Sequence, residues 1–281
     1  MISSRDLKVE LGKSNVYVPT GAVSTKWFLE QYGQVRLGEI VLTSQALKVY
    51  DKIAMLQIAE STGIPTPITW ESLSSVEKFP IFCKPRFEGL GRLRTICWSS
   101  NDARRKLGGM ERFYIFQEYI QSGGTYGVAF LADSGDTLVE FAHFERESIP
   151  PQGGSSVVIE RFYDPRLIDY TRALITILNY SGWGLAEFKY CPRRRDYVFM
   201  EINGKFWASC EFTFVNEPRF LRLLFGFDLK EKPIERMVFG HRALRRGPLF
   251  VAKHFSLLVS GKWVFYPGWW KDLIIGFLSP S

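Results

Sequence analysis

The sequence lacks several features that would place the chain in a simple class. Four cysteines and three histidines among 281 residues lack the spacing of a zinc site and are too few for a disulfide scaffold. No apolar run is long enough to span a bilayer, and there is no internal repeat or low-complexity segment. The first residues carry no signal-peptide pattern. These absences exclude a disulfide-rich secreted domain, a helical membrane protein and a repeat protein.

The cysteines also indicate a cellular compartment. Each lies in or beside a hydrophobic run, where a free thiol behaves as a small apolar residue. Their positions are Cys83, Cys97, Cys191 and Cys210. We therefore expect reduced thiols in a cytoplasmic protein. The histidines His143, His241 and His254 are expected to be structural or surface residues.

The composition is that of a globular protein with one large domain or two ordinary ones. Hydrophobic residues make up 46% and charged residues 23%, and the formal net charge is +7. A basic surface suits nucleic acid, membrane headgroups, or a site that gathers small anionic molecules. We favour the last, because the basic residues are scattered apart from residues 193–195 and 242–246.

Residues 184–189 and 200–207, joined by a basic and turn-like linker, predict a β-hairpin with one polar face. Side chains alternate between the two faces of a strand, which places Glu187 and Lys189 on one face with Glu201 and Asn203. The opposite, apolar face is expected to carry Ala186, Phe188, Tyr190, Val198, Met200 and Ile202. Carboxylate and amide oxygens suit Mg²⁺, which usually bridges a few carboxylates to substrate phosphates. The alternative is a half-exposed hairpin whose polar face only meets water.

Other short motifs accompany this hairpin in a defined order between residues 51 and 209. They are Asp51-Lys52 before a helix, residues 63–67, the strand 79–85, the glycine-bearing loop 88–92, residues 117–120, residues 153–156, Glu187, and residues 201–203. None is specific alone, but their order resembles that of the ATP-grasp superfamily, of the carbamoyl-phosphate-synthase-like kind. The likeness covers a little over half of the chain and fades toward both ends.

The resemblance implies an α+β fold in which two lobes clamp ATP. Residues 1–50 would be the remnant of a preceding α/β domain, 51–125 the small lobe or lid, and 126–235 the large lobe with the metal site. Residues 236–281 would form a basic and aromatic C-terminal extension. Relatives have a whole domain before the helix that begins at Asp51. We therefore expect that this domain is reduced here, that a separate chain supplies it, or that the start of the gene has been assigned too late.

Local patterns predict the elements within these lobes. We expect a short strand and loop at residues 16–20 and helices over 23–32, 51–63, 103–106, 164–180 and 216–246. We expect strands within 80–98 and 113–118, and two alternating strands over 126–147 joined by a turn at 133–136. Asp51 is expected to cap its helix, and Gly63 to end it.

The resemblance also implies nucleotide-binding residues. Lys84 and Lys52 match the lysines that meet the phosphates, although each has a surface lysine as its alternative. Gly89 and Gly91 would let the loop backbone approach the β- and γ-phosphates. The strand expected to meet the adenine comprises Gln117, Glu118, Tyr119 and Ile120, and a salt bridge is the alternative role for Glu118.

The same resemblance places Glu187, Glu201 and Asn203 around Mg²⁺ or Mn²⁺. Lys205 would act on the reacting groups, although relatives usually have arginine there, whose planar fork grips an anion in two places. Arg146, with the loop 150–156, would hold the acyl phosphate or a bicarbonate-like anion. Lys189 would help to neutralise the transferred phosphoryl group.

The expected activity is that of an ATP-dependent ligase. Mg·ATP would phosphorylate a small-molecule carboxylate, and an amine would then displace phosphate to form a C–N bond. The first alternative is a non-catalytic ATP-binding module that needs a partner chain for its missing domain. The second is a nucleic-acid-binding protein, which we disfavour because no clustered basic stripe is present. A homodimer is also among the expected assemblies, and no transmembrane segment is expected.

Overall fold

The computed structural model describes residues 18–88, 93–151, 153–228 and 233–265. The helices of this part are α1 (Ala22–Tyr32), α2 (Lys52–Ser61), α3 (Ser100–Leu107), α4 (Pro165–Leu178), α5 (Cys210–Asn216), α6 (Arg219–Phe225), α7 (Gly240–Arg245), α8 (Pro248–Lys253) and α9 (Phe255–Val259). The strands are β1 (Gln34–Leu37), β2 (Ile40–Thr43), β3 (Thr69–Trp70), β4 (Ile81–Pro85), β5 (Thr95–Cys97), β6 (Tyr114–Glu118), β7 (Thr125–Asp133), β8 (Asp136–Ile149), β9 (Ser155–Arg161), β10 (Gly182–Cys191), β11 (Asp196–Asn203), β12 (Arg236–Phe239) and β13 (Lys262–Val264).

A seven-stranded sheet forms the larger lobe, in the order β11-β10-β7-β8-β9-β12-β13. Neighbouring strands are antiparallel except for β12 and β13. The turn between β7 and β8 has positive φ at Ser134 and Gly135, as tight hairpin turns of type I′ require. Helix α4 covers the sheet with its apolar stripe, and it begins where Asp164 accepts a hydrogen bond from the backbone N–H of Arg166. The predicted hairpin at 126–147 and the helix within 164–180 are confirmed.

A four-stranded sheet, in the order β3-β6-β4-β5, forms the smaller lobe. Its own core packs under α3 and includes Ile81, Leu107 and Phe116. Helix α3 starts at Ser99, whose hydroxyl accepts from the N–H of Asp102, and ends at Gly108 in the left-handed region. The strands predicted within 80–98 and 113–118, and the helix between them, are confirmed.

Helix α2 lies where the two lobes meet. Asp51 caps it by accepting hydrogen bonds from the N–H groups of Ile53 and Ala54, as its sequence predicts. Its apolar residues pack in the same core as the large sheet, although the predicted boundary at residue 51 assigns the helix to the small lobe. The hairpin β1–β2 packs there too, with Leu42 against Gly182. That residues 1–50 are a domain remnant stays a prediction.

Two sequence predictions differ from the structure. The segment 216–246 is not one helix, because residues 236–239 form β12, which pairs with β9. An apolar run as short as Met237–Phe239 fits a strand or a helix equally well. Here it forms a strand because the open edge of β9 is available for pairing. Because β12 pairs with β9, the large sheet continues beyond the domain boundary predicted at residue 236.

The second difference is a β-bulge in β11. Glu201 lies opposite Glu187, but Phe199 lies opposite Phe188, so Met200 is an extra residue. A bulge reverses the alternation of side chains beyond it. Val198 and Met200 therefore pack with Ile120 on the side of the polar residues, whereas Ile202 packs in the main core.

In the part of the chain that the structure describes, no helix is long and apolar enough to cross a membrane. Residues 18–20 have no strand structure, and the other residues of that predicted strand lie outside the described ranges, as do Gly89 and Gly91.

Candidate active site

The polar face of β10 and β11 forms the floor of a cleft between the lobes. Glu187 and Glu201 are directly opposite each other in the hairpin, and Asn203 is opposite Leu185. The cleft has a volume of about 270 Å³, and its lining includes Lys84 from the small lobe. The predicted convergence of two carboxylates and an amide on one face is thus present.

Two buried lysines neutralise Glu201. Lys84 Nζ lies 3.3 Å from Glu201 Oε2 and donates to the carbonyl oxygen of Met200 at 3.1 Å. Lys52 Nζ lies 3.7 Å from the same carboxylate and 2.9 Å from Glu88 Oε1. Both lysine side chains are almost fully buried, so neither is the exposed surface lysine that was the alternative. They come from β4 and α2, which lie side by side where the N–H of Lys52 donates to the Arg86 carbonyl at 3.3 Å.

The two carboxylates of the floor differ in their protonation. Burial opposes ionisation of Glu201, but the charges of Lys84 and Lys52 outweigh it and hold its pKa well below the usual range. Burial, together with the charge of Glu201, raises the pKa of Glu187 to about 8. Like charges in one site drive the pKa values of two carboxyl groups apart. A cation at Glu187 would relieve this conflict.

The donor set fits a hard divalent cation, provided that phosphates complete it. Glu187 and Glu201 offer carboxylates, and the Asn203 amide accepts from Lys205 Nζ at 3.0 Å while donating to Glu187 at 3.0 Å. Among the described residues, no group of three or more His, Cys, Asp or Glu side chains is arranged to hold a metal ion. Mg²⁺ commonly takes one or two carboxylates and leaves its other positions to water and phosphate, so this result agrees with a shared site.

Glu145 is a site residue that the sequence analysis missed. Its side chain lines the cleft and is almost fully buried. It accepts a hydrogen bond from Ser209 at 3.3 Å, and His143 Nε2 lies 3.7 Å away. Burial opposes its ionisation, but His143 and the neighbouring hydroxyls hold its pKa below the usual range. Alternation along β8 places His143 and Glu145 on one face, which was the available sequence signal.

The lack of a side chain at Gly127 leaves room for the imidazole of His143. Glu201, Glu187, Gly127 and His143 are register partners across four adjacent strands. A Cβ at Gly127 would lie 2.8 Å from Cε1 of His143 and closer still to its Nε2. The imidazole therefore fills the space that any other residue at position 127 would occupy.

The remaining predicted residues divide into those in the cleft and those outside it. Lys189 lines the cleft and donates to Thr125 Oγ1 at 2.9 Å and to the Gly124 carbonyl at 3.1 Å. Lys205 and the loop 153–156 line it as well. Ile120 packs beside Val198 and Met200, an apolar cluster next to the cleft. Glu88, at the start of the glycine-bearing loop, binds Lys52 and Arg94.

The structure does not bring three of the predicted residues to the cleft. Arg146 forms a two-fold ion pair with Glu160, at 2.9 and 2.7 Å, and is 43% exposed. Glu118 is engaged by Arg193 and Arg194, the salt bridge that was its alternative. The Gln117 amide donates to Thr69 at 3.0 Å inside the small lobe. Their side chains are committed elsewhere, so their functional roles stay predictions; Tyr119 is partly buried beside them.

A larger open groove, of about 630 Å³, lies on the other side of the large sheet. Its arginines Arg161 and Arg172 are paired with Glu235 and Glu140. The clustered buried charges are in the smaller interlobe cleft, which we therefore take as the functional site.

Comparison with known proteins gives three informative matches. No protein-family model matches the chain. The D-alanine–D-alanine ligase of Fusobacterium nucleatum is 29% identical over 121 residues, which are 40% of this chain and 42% of that ligase. A biotin carboxylase–β,γ-ATP complex from Campylobacter jejuni superposes with a TM-score of 0.56 at 16% identity, over 76% of this chain and 55% of the other. The L-amino acid ligase from Bacillus licheniformis gives 0.53 at 16% identity, over 76% and 57%.

The two solved structures share one fold with the chain described here. The chain spans about half the length of each of the three matched proteins. The matches therefore confirm the predicted α+β fold with its two clamping lobes, whereas activity and substrates must be argued from the site.

Proposed function

We propose that this chain, which has the ATP-grasp fold, is an ATP-dependent ligase that joins a carboxylate to an amine. The observation that carries the proposal is the cluster of Glu187, Glu201 and Asn203 on one strand face, flanked by the buried Lys52 and Lys84. Opposed carboxylates and converging lysines, held in the cleft between the lobes, suit a polyphosphate with its counter-cation. Relatives by sequence and by structure that are ligases support the same reaction class.

The chain's own residues would divide the work as follows. Lys52 and Lys84 would bind ATP phosphates, and Met200, which lines the cleft and packs on Ile120 and Val198, would contact the base. Glu187, Glu201 and Asn203 would hold Mg²⁺ or Mn²⁺, which when bound neutralises phosphate charge. Lys205 and Lys189 lie on the same floor and would stabilise the charge of the transferred phosphoryl group.

The reaction has two balanced steps. A carboxylate oxygen forms a bond to the γ-phosphorus as the bond to ADP breaks, which gives an acyl phosphate. An amine then attacks the acyl carbon, and phosphate leaves with a proton lost from the amine. A separate chain, a homodimer and a cytoplasmic location stay predictions.

The test is a calorimetric titration with ATP, with and without Mg²⁺, of the wild type and Glu201→Gln. Removing one anionic ligand weakens Mg²⁺-dependent binding by at least about tenfold, and no ADP is released. Glu140→Gln is the control, because that carboxylate pairs with Arg172 on the outer side of the sheet. Unchanged Mg²⁺-dependent affinity in a folded Glu201→Gln chain would contradict the proposal.

A further inference from the structure

The net positive charge of the chain lies almost entirely in residues 236–265. This stretch has six lysines and arginines and no aspartate or glutamate, whereas the formal net charge of the whole chain is +7. In the rest of the chain, acidic residues nearly balance the basic ones. The stretch forms β12, α7, α8, α9 and β13, which lie at one end of the large sheet. Charge of one sign on one part of a protein attracts a partner of the opposite sign.

Three of these six cations are exposed. Arg245 in α7, Lys253 in α8 and Lys262 in β13 are open to solvent, and none of them has an ion pair within the part of the chain that the structure describes. Glu147 reaches these helices from β8, but it is already paired with Arg246 at 3.6 Å. The three exposed cations are therefore available to an anionic partner.

Helices α8 and α9 also expose apolar side chains. Both helices pack on one apolar cluster, α8 through Phe250 and α9 through Leu258. The sides turned away from this cluster carry Leu249, which is 85% exposed, Phe255, which is 63% exposed, and Val259, which is 58% exposed. Exposed apolar side chains on adjoining elements mark an interaction site for a protein or a membrane.

Cationic and apolar side chains share these outer sides. Residues four apart lie on one side of a helix, which puts Lys253 beside Leu249 on α8, and Val259 beside Phe255 on α9. None of the four side chains lines the interlobe cleft or the groove on the other side of the sheet. Lysine extends an apolar stem and keeps its ammonium group at a polar level. This combination is typical of protein surfaces that lie on a bilayer.

An anionic bilayer fits this surface better than the other anionic partners. Nucleic-acid phosphates would pair with the cations, but the side chains of Leu249 and Val259 would gain nothing from a phosphate backbone. An acidic protein would need a groove for its anchor residues, and these side chains lie outside both of the cavities described above. A bilayer offers phosphates and, a few ångströms below them, an apolar layer.

We propose that α8 and α9 dock on the surface of an anionic lipid bilayer. Their exposed apolar side chains enter the headgroup region, and the three exposed cations contact lipid phosphates. The chain lies on the bilayer in this arrangement and does not cross it. The interaction goes beyond the proposed ligase function and is independent of it, because the docking residues are separate from the cleft.

The test is co-sedimentation of the whole chain with sucrose-loaded vesicles of phosphatidylcholine, with and without phosphatidylglycerol. Vesicles with about one third phosphatidylglycerol should bind at least about tenfold more tightly than neutral ones, because each cation near the surface contributes roughly fivefold. Leu249→Gln should weaken this binding by about tenfold, and Lys253→Gln by about fivefold. The matched controls are Ile177→Gln, exposed on α4, and Lys78→Gln, exposed in the small lobe. Both should bind as the wild type does.

Three results would overturn the proposal. The first is a wild-type chain that sediments with neither kind of vesicle, which would mean that another occupant covers α8 and α9. The second is Leu249→Gln binding as tightly as the wild type, which would show that the apolar side chains stay outside the bilayer. The third is binding to a DNA duplex that is as tight as binding to the vesicles and insensitive to Leu249→Gln, which would assign the surface to nucleic acid.

Discussion

At the scale of single residues, oppositely charged side chains pair in largely buried positions. Removing one partner of such a pair lowers the stability of the protein. Glu201 holds two buried lysines, and Glu160 bridges Arg146 of β8 and Arg236 of β12 from its place in β9. Hydrogen bonds to charged groups contribute more to stability than neutral ones. The Glu201 cluster lies at the cleft, whereas the Glu160 cluster joins the neighbouring strands β8, β9 and β12.

The Glu160 cluster predicts a pH-dependent contribution to stability. Burial raises the pKa of Glu160, but hydrogen bonds from Arg146 and Arg236 outweigh it and lower the pKa below its usual range. A carboxyl with a lowered folded pKa stabilises the protein at neutral pH, and this contribution is lost as pH falls through that pKa. Glu160→Gln should therefore cost about 2 kcal/mol at pH 7 and clearly less near pH 3.

Urea unfolding at both pH values measures the difference. The control is Glu235→Gln, whose carboxylate is 84% exposed and should change the free energy of unfolding by less than about 0.5 kcal/mol. An equal cost of Glu160→Gln at the two pH values would show that the carboxylate charge is not responsible.

At the scale of elements, register determines which side chains can meet. The row Glu201, Glu187, Gly127 and His143 crosses four strands, and the bulge at Met200 aligns Glu201 with Glu187. A one-residue slip of any strand would move its polar residues to the core face. The packing of His143 over Gly127 also opposes such a slip of β7 against β8.

Gly127→Ala is the direct test of this packing. The new methyl group would overlap the His143 imidazole, and overpacking in a well-packed interior costs about 1–3 kcal/mol. Gly123→Ala, just before β7, is a matched control, since a Cβ there meets no atom within 4 Å; its effect should be within about 0.5 kcal/mol. Chemical denaturation compares the two variants, and equal stabilities would contradict the packing of the imidazole against Gly127.

At the scale of the whole molecule, the two lobes meet through few but specific contacts. Phe199 N–H donates to the Pro65 carbonyl at 2.8 Å, and Arg194 donates to the Thr66 carbonyl at 2.7 Å. Arg193 and Arg194 also hold Glu118 at the end of β6. The basic turn of the hairpin, residues 193–195, thus anchors the small lobe to the large one.

A ligand that bridges the lobes should stabilise the whole chain. Mg·ATP analogue at about 100 times its dissociation constant adds about 2.7 kcal/mol, or roughly 5–10 °C in Tm for a chain of this size. Excess EDTA should remove most of this shift, because the carboxylates of Glu187 and Glu201 would again face the phosphates without a cation. A shift that is insensitive to EDTA would place the nucleotide away from these carboxylates.

The sequence by itself determined the features that depend on near neighbours. Asp51 starts α2, residues 133–136 turn the chain between β7 and β8, and alternation puts Glu187 and Lys189 on one face of β10. The order of short motifs was sufficient to identify the fold, since each motif is a short run of the sequence. Capping, turn geometry and strand alternation act over a few residues, so they can be predicted from the sequence.

Only the tertiary structure decided which distant residues meet. It added Glu145 to the cleft with His143 beside it, paired Arg146 with Glu160, and engaged Glu118 with the basic turn. It also paired β12 with β9, two strands from segments far apart in the chain. These outcomes depend on strand register, a bulge and the burial of charge, which long-range packing sets and local sequence does not.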